Sequence, residues 1–324
     1  MNPIPPKISV VMSVYNGETF VAESIDSVLA QTFEDYEFII VDDGSTDKTS
    51  NILASFSDDR IRLISRANTG LTVALNEALR HCRAPFIARQ DADDISYPDR
   101  FASQMEYLEQ HAEVSAVGSW ATVIDAEGDA VGMHCNASDP VDIKRKLWSD
   151  NMFVHGSLML RRHAIESVDA YRSQFRYAQD YDLLLRLSDR YRVANIPRSL
   201  YGIRHWRGKI SVDKLPEQLA FRQLAQTLAA QRRRGEQDAL QHGESIDKLL
   251  IPVEPPSPQH FENTMLYYCL RSGHLAKARR IIRELMQTNP GSTKPYIQLA
   301  LTYLGPTLST GLLKLWDRTQ RTNG

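Results

Sequence analysis

Residues 38–47 read Phe-Ile-Ile-Val-Asp-Asp-Gly-Ser-Thr-Asp, an apolar run that passes directly into paired carboxylates. Four consecutive apolar residues followed by Asp42, Asp43 and Gly44 predict a buried strand that ends in a tight turn before a helix. A second stretch of this kind, residues 86–94, reads Phe-Ile-Ala-Arg-Gln-Asp-Ala-Asp-Asp. Both stretches therefore place acidic side chains at the carboxyl end of a strand.

Outward from these stretches, residues 7 to about 203 alternate short apolar runs with amphipathic segments. This alternation predicts a doubly wound α/β domain, in which helices cover a mostly parallel sheet. The predicted strands are 8–14, 36–41, 61–65, 85–89, 114–124 and 156–160, and the predicted helices are 19–30, 46–56, 71–81 and 99–110. Ligands of such sheets bind beyond the carboxyl ends of the strands, where the acidic side chains are expected.

The composition favours an ordinary globular protein. The chain has 324 residues, of which 42% are apolar and 24% charged, enough for roughly two domains. Its three cysteines form no Cys-x-x-Cys pair, so we expect neither a disulfide framework nor a thiolate zinc site. The apolar run 8–14 is too short for a signal peptide or a membrane span. A reducing, cytoplasmic setting without a membrane-spanning segment is the expectation.

The two halves of the chain carry opposite charge. Residues 1–203 contain 20 Lys and Arg against 30 Asp and Glu, whereas residues 204–324 contain 18 against 10. The second half is therefore the one suited to an anionic surface.

Helices are predicted for most of the chain after residue 211. One is expected over 216–234, a proline-rich linker over 252–258, and a helical pair over 260–289 that is broken at Ser272-Gly273. Residues 271–324 combine nine basic residues with two acidic ones and many leucines. This pattern predicts either contact with an anionic leaflet or a helix packed on the rest of the chain or on a second copy.

The acidic residues at the strand ends allow both structural and chemical roles. Asp42 can accept a hydrogen bond from a nucleobase or a ribose hydroxyl, but helix capping by Ser45, Thr46 or Asp47 explains this run equally well. In extended backbone Asp91 and Asp93 point the same way, ~7 Å apart. Carboxylates without His or Cys favour Mg²⁺ or Mn²⁺ and leave coordination positions for phosphate oxygens.

A structural alternative exists for each Asp-x-Asp pair. The first could form a solvated turn before a helix with Ser96 as its cap. The second, Asp180 and Asp182, opens an amphipathic helix, where the helix dipole alone would explain the carboxylates. Otherwise one of the two serves as a base. They lie about 200° apart around a helix, so they cannot both face one acceptor.

Several common enzyme classes are excluded by missing motifs. The sequence contains no G-x-G-x-x-G fingerprint, no complete phosphate loop, no G-x-S-x-G and no H-E-x-x-H. A dinucleotide-dependent dehydrogenase, a P-loop nucleoside triphosphatase, and the commonest serine hydrolases and zinc proteases are therefore not supported.

Taken together, the motifs resemble the family 2 inverting glycosyltransferases, which use nucleotide sugars and have a GT-A type, Rossmann-like fold. The resemblance covers about residues 7–211. It rests on residues 9–16 (Ser-Val-Val-Met-Ser-Val-Tyr-Asn), 27–32, 40–49, Asn68-Thr69-Gly70 with Asn76, 91–94, and the helix start containing Asp180. It implies a catalytic domain over 1–211, followed by a helix and linker over 212–258 and a helical C-terminal region over 259–324.

The resemblance also implies an activity. A single sugar would pass, with inversion, from a nucleotide-diphosphate sugar, with a leaning to UDP, to an acceptor hydroxyl with the help of Mn²⁺ or Mg²⁺. The acceptor would be a glycan or lipid-linked glycan of bacterial-type cell-surface polysaccharide or glycolipid assembly, and no nucleic acid partner is expected. The enzyme would be cytoplasmic, or peripheral on the inner face of the plasma membrane.

Site residues follow from the same resemblance. Asp180 would be the general base and Asp93 the metal ligand, while Tyr15 and Asp42 would hold the nucleobase and Asp91 would lie near the ribose and the metal. The nucleotide-binding set is Tyr15, Asn16, Asp42, Asn68, Gly70 and Asp91, and the diphosphate or acceptor contacts are Asp94, His155, Arg204 and His205. Gln179 stands where the family commonly has Glu.

Two other functions are alternatives to this one. A sugar-phosphate nucleotidyltransferase needs a glycine-rich loop after the first strand, and residues 14–17, Val-Tyr-Asn-Gly, are not one. A non-catalytic protein that binds nucleotide sugars or glycans would not need Asp91, Asp93 and Asp180 together.

Overall fold

The computed structural model describes residues 5–208, 214–254, 259–288, 290 and 294–303. The chain divides into two compact units. Unit 1 comprises Met1–Ala121, Cys135–Ile203 and Pro216–Glu254, and unit 2 comprises Thr122–His134, Arg204–Leu215 and Pro255–Gly324.

The described elements alternate between strands and helices before the chain becomes helical. The strands are β1 Ile8–Val14, β2 Tyr36–Asp42, β3 Ile61–Ser65, β4 Phe86–Asp91, β5 Ile95–Ser96, β6 Val114–Ile124, β7 Ala130–His134, β8 Met159–Arg161 and β9 Arg192–Arg204. The helices are α1 Val21–Leu29, α2 Thr49–Ala54, α3 Leu71–Arg80, α4 Arg100–Gln110, α5 Pro140–Lys146, α6 Arg162–Glu166, α7 Gln179–Ser188, α8 Leu215–Arg233, α9 Ile246–Leu249, α10 His260–Arg271, α11 Leu275–Thr288 and α12 Lys294–Leu301.

The strands follow the order β3-β2-β1-β4-β8-β6-β9-β5, and β7 pairs with β6. Strands β3, β2, β1 and β4 are parallel to one another, whereas β8 runs antiparallel to β4 and β6. All seven residues of β1 and of β2 are buried, which explains their continuous apolar sequence. The predicted α/β class with a mostly parallel central sheet is confirmed.

Helices cover both faces of the sheet in unit 1. Alternate residues of a strand point to opposite faces, so Val11 belongs to one hydrophobic cluster, and Val10 and Met12 belong to the other. Helices α3, α7 and α8 complete the first cluster, and α1 and α4 complete the second. In α8, the Phe221 ring lies edge-on to Phe175, with ring centroids 5.6 Å apart.

Two local predictions are wrong. The strand expected over 156–160 starts only at Met159, because residues 155–157 form a 3-10 turn in which the Ser157 amide and hydroxyl both donate to the Val154 carbonyl. The alternative with Ser96 as the cap of the following helix is also wrong, because the N-cap position of α4 is Asp99, whose side chain makes no capping hydrogen bond. Ser96 lies in β5, where its hydroxyl donates to Gln90 Oε1 at 2.6 Å.

Unit 2 contains β7 and the helices α10 to α12. The predicted break at Ser272-Gly273 is confirmed, and Gly273 has the left-handed φ of 78° with which helices commonly end. Within the described residues, no helix combines the length and the apolar content that crossing a bilayer requires. Residues 304–324, which hold much of the leucine-rich basic segment, lie outside the described residues.

Candidate active site

Strands β1, β2 and β4 end side by side in unit 1. The register pairs Val14 of β1 with Asp42, and Ser13 with Asp91. Neighbouring strands lie about 4.8 Å apart, so Asp42 and Asp91 stand on either side of β1, roughly 10 Å from each other. The sheet topology thus brings both predicted nucleotide-binding carboxylates to one edge.

Asp42 holds the turn that follows β2. Its side chain is buried, Oδ1 accepts the Ser45 amide at 2.9 Å, and Oδ2 accepts the Ser50 hydroxyl at 2.5 Å. Capping near α2 falls to Asp47, whose Oδ1 accepts the Thr49 amide at 2.9 Å. Asp42 therefore has a structural role in this turn, in partial agreement with the structural alternative drawn from the sequence. The contact of Asp42 with a nucleobase stays a prediction.

The loop after β1 is fastened to the same turn. Asn16 adopts a left-handed φ of 51°, and its side-chain oxygen accepts the Thr46 amide at 2.8 Å. The Gly17 amide donates to the Thr49 hydroxyl at 2.8 Å. Tyr15 remains 52% exposed next to these anchored residues. An exposed ring on a fixed loop offers a stacking surface for a planar ligand.

Asp43 anchors the loop that carries Asn68 and Gly70, a role that the sequence analysis did not assign. Its carboxylate is buried and accepts the backbone amides of Thr69 at 3.1 Å and Gly70 at 2.8 Å. Gly44 lets this loop approach, since a Cβ at Gly44 would lie 2.6 Å from the Asn68 nitrogen. The structure therefore places the predicted loop residues beside the carboxyl end of β2, with Asn68 exposed.

The Asp91–Asp94 run forms a turn rather than extended backbone. Strand β4 ends at Asp91, and the Asp91 carbonyl accepts the Asp94 amide at 3.3 Å. The prediction that Asp91 and Asp93 point the same way is therefore wrong, because that alignment requires β4 to continue through Asp93. The Asp94 side chain is buried, and its contact with a diphosphate stays a prediction.

Two buried arginines that the sequence analysis missed support this turn. Arg89 donates to Asp91 Oδ1 at 2.7 Å, and Arg100 donates to the Arg89 carbonyl at 2.7 Å. Burial lowers the pKa of Arg100 to about 10, so it stays charged at neutral pH. The Tyr201 hydroxyl accepts the Asp91 amide at 3.1 Å. The sequence did contain a signal for this role, because an arginine in or beside a buried strand must find hydrogen-bond or ion-pair partners.

Asp180 lies on the second residue of α7 and is half-buried. Its Oδ2 accepts the Asn151 side-chain amide at 2.8 Å. Nearby, His155 Nε2 and the Tyr171 hydroxyl are 2.8 Å apart. Burial, reinforced by the charge of Arg89, lowers the pKa of His155, while the charges of Asp180 and Asp91 oppose this shift.

Burial also raises the pKa of Tyr171, so His155 and Tyr171 form a neutral pair at pH 7. Since Asp91 and Asp180 both act on His155, this pair lies within electrostatic reach of both carboxylates. The structure thus brings together three of the predicted site residues, Asp91, His155 and Asp180.

Arg204 and His205 belong to unit 2. The Arg204 side chain is buried and donates to the carbonyls of Asp125 at 3.1 Å and Ala126 at 3.0 Å. The His205 ring stacks on Phe261 at 5.0 Å between centroids. Residues 209–211 of the same predicted segment lie outside the described residues, and the roles of Arg204 and His205 toward a diphosphate stay predictions.

The comparisons with known proteins identify the family. A family model described as Glycosyl transferase family 2 matches residues 9–169. The EpsE protein of Bacillus subtilis (strain 168), which is named as a glycosyltransferase, is 37% identical over 206 residues, or 61% of this chain and 73% of EpsE. The chain belongs to glycosyltransferase family 2. The resemblance drawn from the motifs is confirmed, and the chain is a glycosyltransferase.

A further relative and two solved structures agree. The O-antigen biosynthesis glycosyltransferase WbnJ of Escherichia coli is 32% identical over 183 residues, 56% of this chain and 71% of WbnJ. S. aureus TarS 1–349 in complex with UDP-GlcNAc has a TM-score of 0.55 at 15% identity, covering 97% of this chain and 92% of that one. The mannosyltransferase PcManGT from Pyrobaculum calidifontis, in complex with GDP-Man and Mn²⁺, has a TM-score of 0.55 at 16% identity, covering 97% and 88%.

At these identities the structural likeness shows the fold alone. Both proteins are GT-A glycosyltransferases, so the predicted GT-A fold is confirmed. This chain spans 40% of a longer TarS chain.

Proposed function

We propose that this glycosyltransferase moves a single sugar from a UDP-linked donor to an acceptor hydroxyl, with inversion at the anomeric carbon. The observation that carries the proposal is that Asp91 and Asp180 both act electrostatically on the hydrogen-bonded pair of His155 and Tyr171. An in-line displacement needs a donor site and, on the opposite face of the sugar, a base. Residues 1–211 would hold both.

Asp180 is the proposed general base. Its position in the first turn of α7 leaves it half-buried, and the hydrogen bond from Asn151 at 2.8 Å fixes the direction of its carboxylate. In the reaction it would accept the proton of the acceptor hydroxyl as that oxygen attacks the sugar.

The nucleotide would lie over the ends of β1, β2 and β4. Tyr15 offers an exposed ring for the base, and the loop containing Asn68 and Gly70 would border it. Asp91 would contact the ribose from the end of β4. TarS 1–349 is in complex with UDP-GlcNAc and PcManGT with GDP-Man, so the choice of UDP is tested by the panel of nucleotide sugars described below.

The donor chemistry of the Asp91–Asp93 turn fits a hard divalent cation, because it offers carboxylate oxygens without Cys or His. Arg89 already binds Asp91 Oδ1, so Asp93 is the carboxylate that we assign to Mn²⁺ or Mg²⁺. Among the described residues, no three His, Cys, Asp or Glu side chains are grouped to hold a metal. The cation would offset charge on the diphosphate. PcManGT in complex with Mn²⁺ supports this cofactor.

The proposed setting is cell-surface polysaccharide or glycolipid assembly, with a glycan or lipid-linked glycan as acceptor. The O-antigen relative WbnJ supports this destination. We place the enzyme in the cytoplasm, in peripheral contact with an anionic membrane through unit 2, where Arg271, Arg280 and Arg283 are exposed. Each basic residue near such a surface contributes about 1 kcal/mol.

A liposome experiment tests the membrane contact. Anionic vesicles should float the full chain at low salt, and high salt or truncation after Pro258 should abolish flotation. Equal flotation of the truncated chain would reject the contact, and a salt-independent dimer of the full chain would favour packing on a second copy.

A panel of nucleotide sugars with Mn²⁺ tests the activity, with nucleoside diphosphate release without acceptor as the readout. Release from one UDP-sugar is expected, and no release from any donor would favour a non-catalytic binding protein. Asp180→Asn should reduce turnover roughly 10²- to 10⁴-fold with UDP affinity nearly unchanged. Asp93→Asn should abolish activity and weaken UDP binding.

The exposed Asp59→Asn is the matched control and should behave like the parent. If Asp180→Asn transfers sugar near the parent rate, the base has been assigned to the wrong carboxylate.

A further inference from the structure

A buried ion-pair network lies behind the first turn of α7. The Asp182 carboxylate is fully buried and accepts a hydrogen bond from Arg186 Nε at 2.8 Å, and Arg172 lies 3.5 Å from its other oxygen. Asp182 is two residues from Asp180 and on a different side of the helix. This network therefore holds the face of α7 opposite to the proposed base.

The network continues into the segment that follows α8. Arg172 donates to Asp238 Oδ2 at 2.7 Å, and Arg232 donates to the same oxygen at 2.9 Å. Arg232 also donates to Asp189 Oδ2 at 2.9 Å. Asp238 is completely buried, and its bonds to Arg172 and Arg232 join the segment after α8 to the base-bearing helix. Both the segment and the helix lie beyond residue 169, where the family match ends.

Arg186 also fixes the loop that carries Tyr171. Arg186 donates to the carbonyls of Val168 and, at 2.8 Å, of Ala170. Asp169 and Ala170 have left-handed φ values of 57° and 51°, which L-residues adopt only when surrounding contacts enforce them. Tyr171 follows directly, so the network fixes both α7 and the residue that contacts His155.

Asp238 is charged at neutral pH. Burial alone would raise the pKa of Asp238, but the hydrogen bond and charge of Arg172, with a further bond from Arg232, outweigh it and hold this pKa below its usual value. Replacing buried ion pairs by apolar residues is often neutral or stabilising, so such a network is weak evidence for stability. Its hydrogen bonds are directional, and they join three separate segments, namely the loop around Tyr171, α7 and the segment after α8.

We propose that Asp238 is a positioning residue for sugar transfer. Through Arg172 it fixes Asp182, and with it the first turn of α7, which carries Asp180. The inference rests on the proposed role of Asp180 as general base.

The test uses the full chain with Asp238→Asn, which preserves the shape of the side chain and removes its charge. Turnover at saturating donor and acceptor should fall roughly 10- to 100-fold, the size of loss that follows a small misplacement of a reacting group. The affinity and the stoichiometry of UDP binding should stay within about twofold of the parent. A merely structural role would lower the number of UDP sites and the turnover together, and that result would overturn the inference.

The matched control is Asp189→Asn, which removes the other carboxylate bound to Arg232 but leaves the bond between Arg172 and Asp238 in place. It should retain turnover within about twofold. Equal losses in both variants would overturn the inference. Arg172→Lys is the second variant, since a lysine keeps the charge but cannot bridge two carboxylates in the same way. It should reproduce the loss of turnover with UDP binding intact.

A double variant separates this inference from the proposed base. If Asp238 acts through Asp180, adding Asp238→Asn to Asp180→Asn should lower turnover by less than twofold. A full additional loss would show that Asp238 acts elsewhere. Normal turnover of Asp180→Asn alone would instead reject the proposed base. If Asp180→Asn loses turnover but Asp238→Asn keeps the parent turnover, only the positioning role of Asp238 is overturned.

Discussion

Gly156 is the position where a single methyl group should disturb the donor site most directly. It lies in the 3-10 turn before β8, between the Tyr201 hydroxyl and the Asp91 carboxylate. A Cβ at this position would lie 2.0 Å from Tyr201 Oη and 2.7 Å from Asp91 Oδ2. Gly156→Ala therefore cannot be accommodated without moving one or both side chains.

The cost can be worked from these contacts. Tyr201 Oη would have to move from 2.0 Å to the 3.4 Å of an ordinary contact, although the residue is fully buried with Arg100 5.0 Å from its ring. Overpacking of this kind costs about 1–3 kcal/mol, and losing the bond from the Asp91 amide adds about 1 kcal/mol. Gly156→Ala should thus lower the free energy of unfolding by about 2–4 kcal/mol.

Chemical denaturation gives the stability, and steady-state kinetics with titrated donor gives the effect on the site. Because Asp91 is displaced, the donor KM should rise about 10-fold. Gly235→Ala is the control, since Gly235 has φ 80° and no atom within 4 Å of its added Cβ. It should cost about 1–2 kcal/mol for the left-handed backbone and leave KM unchanged. If Gly156→Ala matches the parent in stability and KM, the close approach described here is wrong.

Three further predictions concern the loop at β2, acid stability and the metal. Asp43→Ala removes the acceptor of the amides of residues 69–70, so we expect a roughly 10-fold higher donor KM; unchanged kinetics would contradict the anchoring role. Burial would raise the pKa of Glu37, but hydrogen bonds from Ser9 and Arg83, together with the charge of Arg83, lower this pKa overall. The contribution of Glu37 to the free energy of unfolding is therefore fully present above about pH 4.3, the pKa of an unfolded glutamate. That contribution is lost as the pH falls through the lower pKa of the folded state. Glu37→Gln should flatten the stability curve below about pH 4, and parallel curves would count against it. A strong chelator should remove activity and Mn²⁺ should restore it, whereas full activity with chelator would reject the metal assignment.

The central strands could be read from the sequence because burial on both faces produces uninterrupted apolar runs. Strands β1, β3 and β6 have the predicted bounds. Strand β9 was not predicted, since Arg192–Arg204 contains Pro197 and an exposed stretch in its middle. Proline within a strand argues against that assignment in a single sequence, and only pairing with distant strands overrides it.

The acidic residues of the site were predictable because topology brings strand ends together. Their supports were not, since each depends on a contact between distant parts of the chain. Tyr201 reaches the Asp91 amide across 110 residues of sequence, and Asn76 bonds to Tyr171 across 95. The alignment of Asp91 with Asp93 failed for a related reason, as the point where β4 ends is set by its surroundings.

The three pairs of aspartates have one feature in common that the sequence alone does not show. The pairs are Asp42 with Asp43, Asp91 with Asp93, and Asp180 with Asp182. In each pair, an arginine binds one carboxylate and builds it into the scaffold. The bound pairs are Asp43 with Arg66, Asp91 with Arg89, and Asp182 with Arg186. Two nearby carboxylates repel each other, and an arginine beside one of them offsets that repulsion. The neighbouring aspartate of each pair, Asp42, Asp93 or Asp180, is the one to which the nucleobase, the metal or the acceptor proton is assigned. The arginine-bound members are Asp43, Asp91 and Asp182, and of these only Asp91 is also assigned a ligand contact, the ribose.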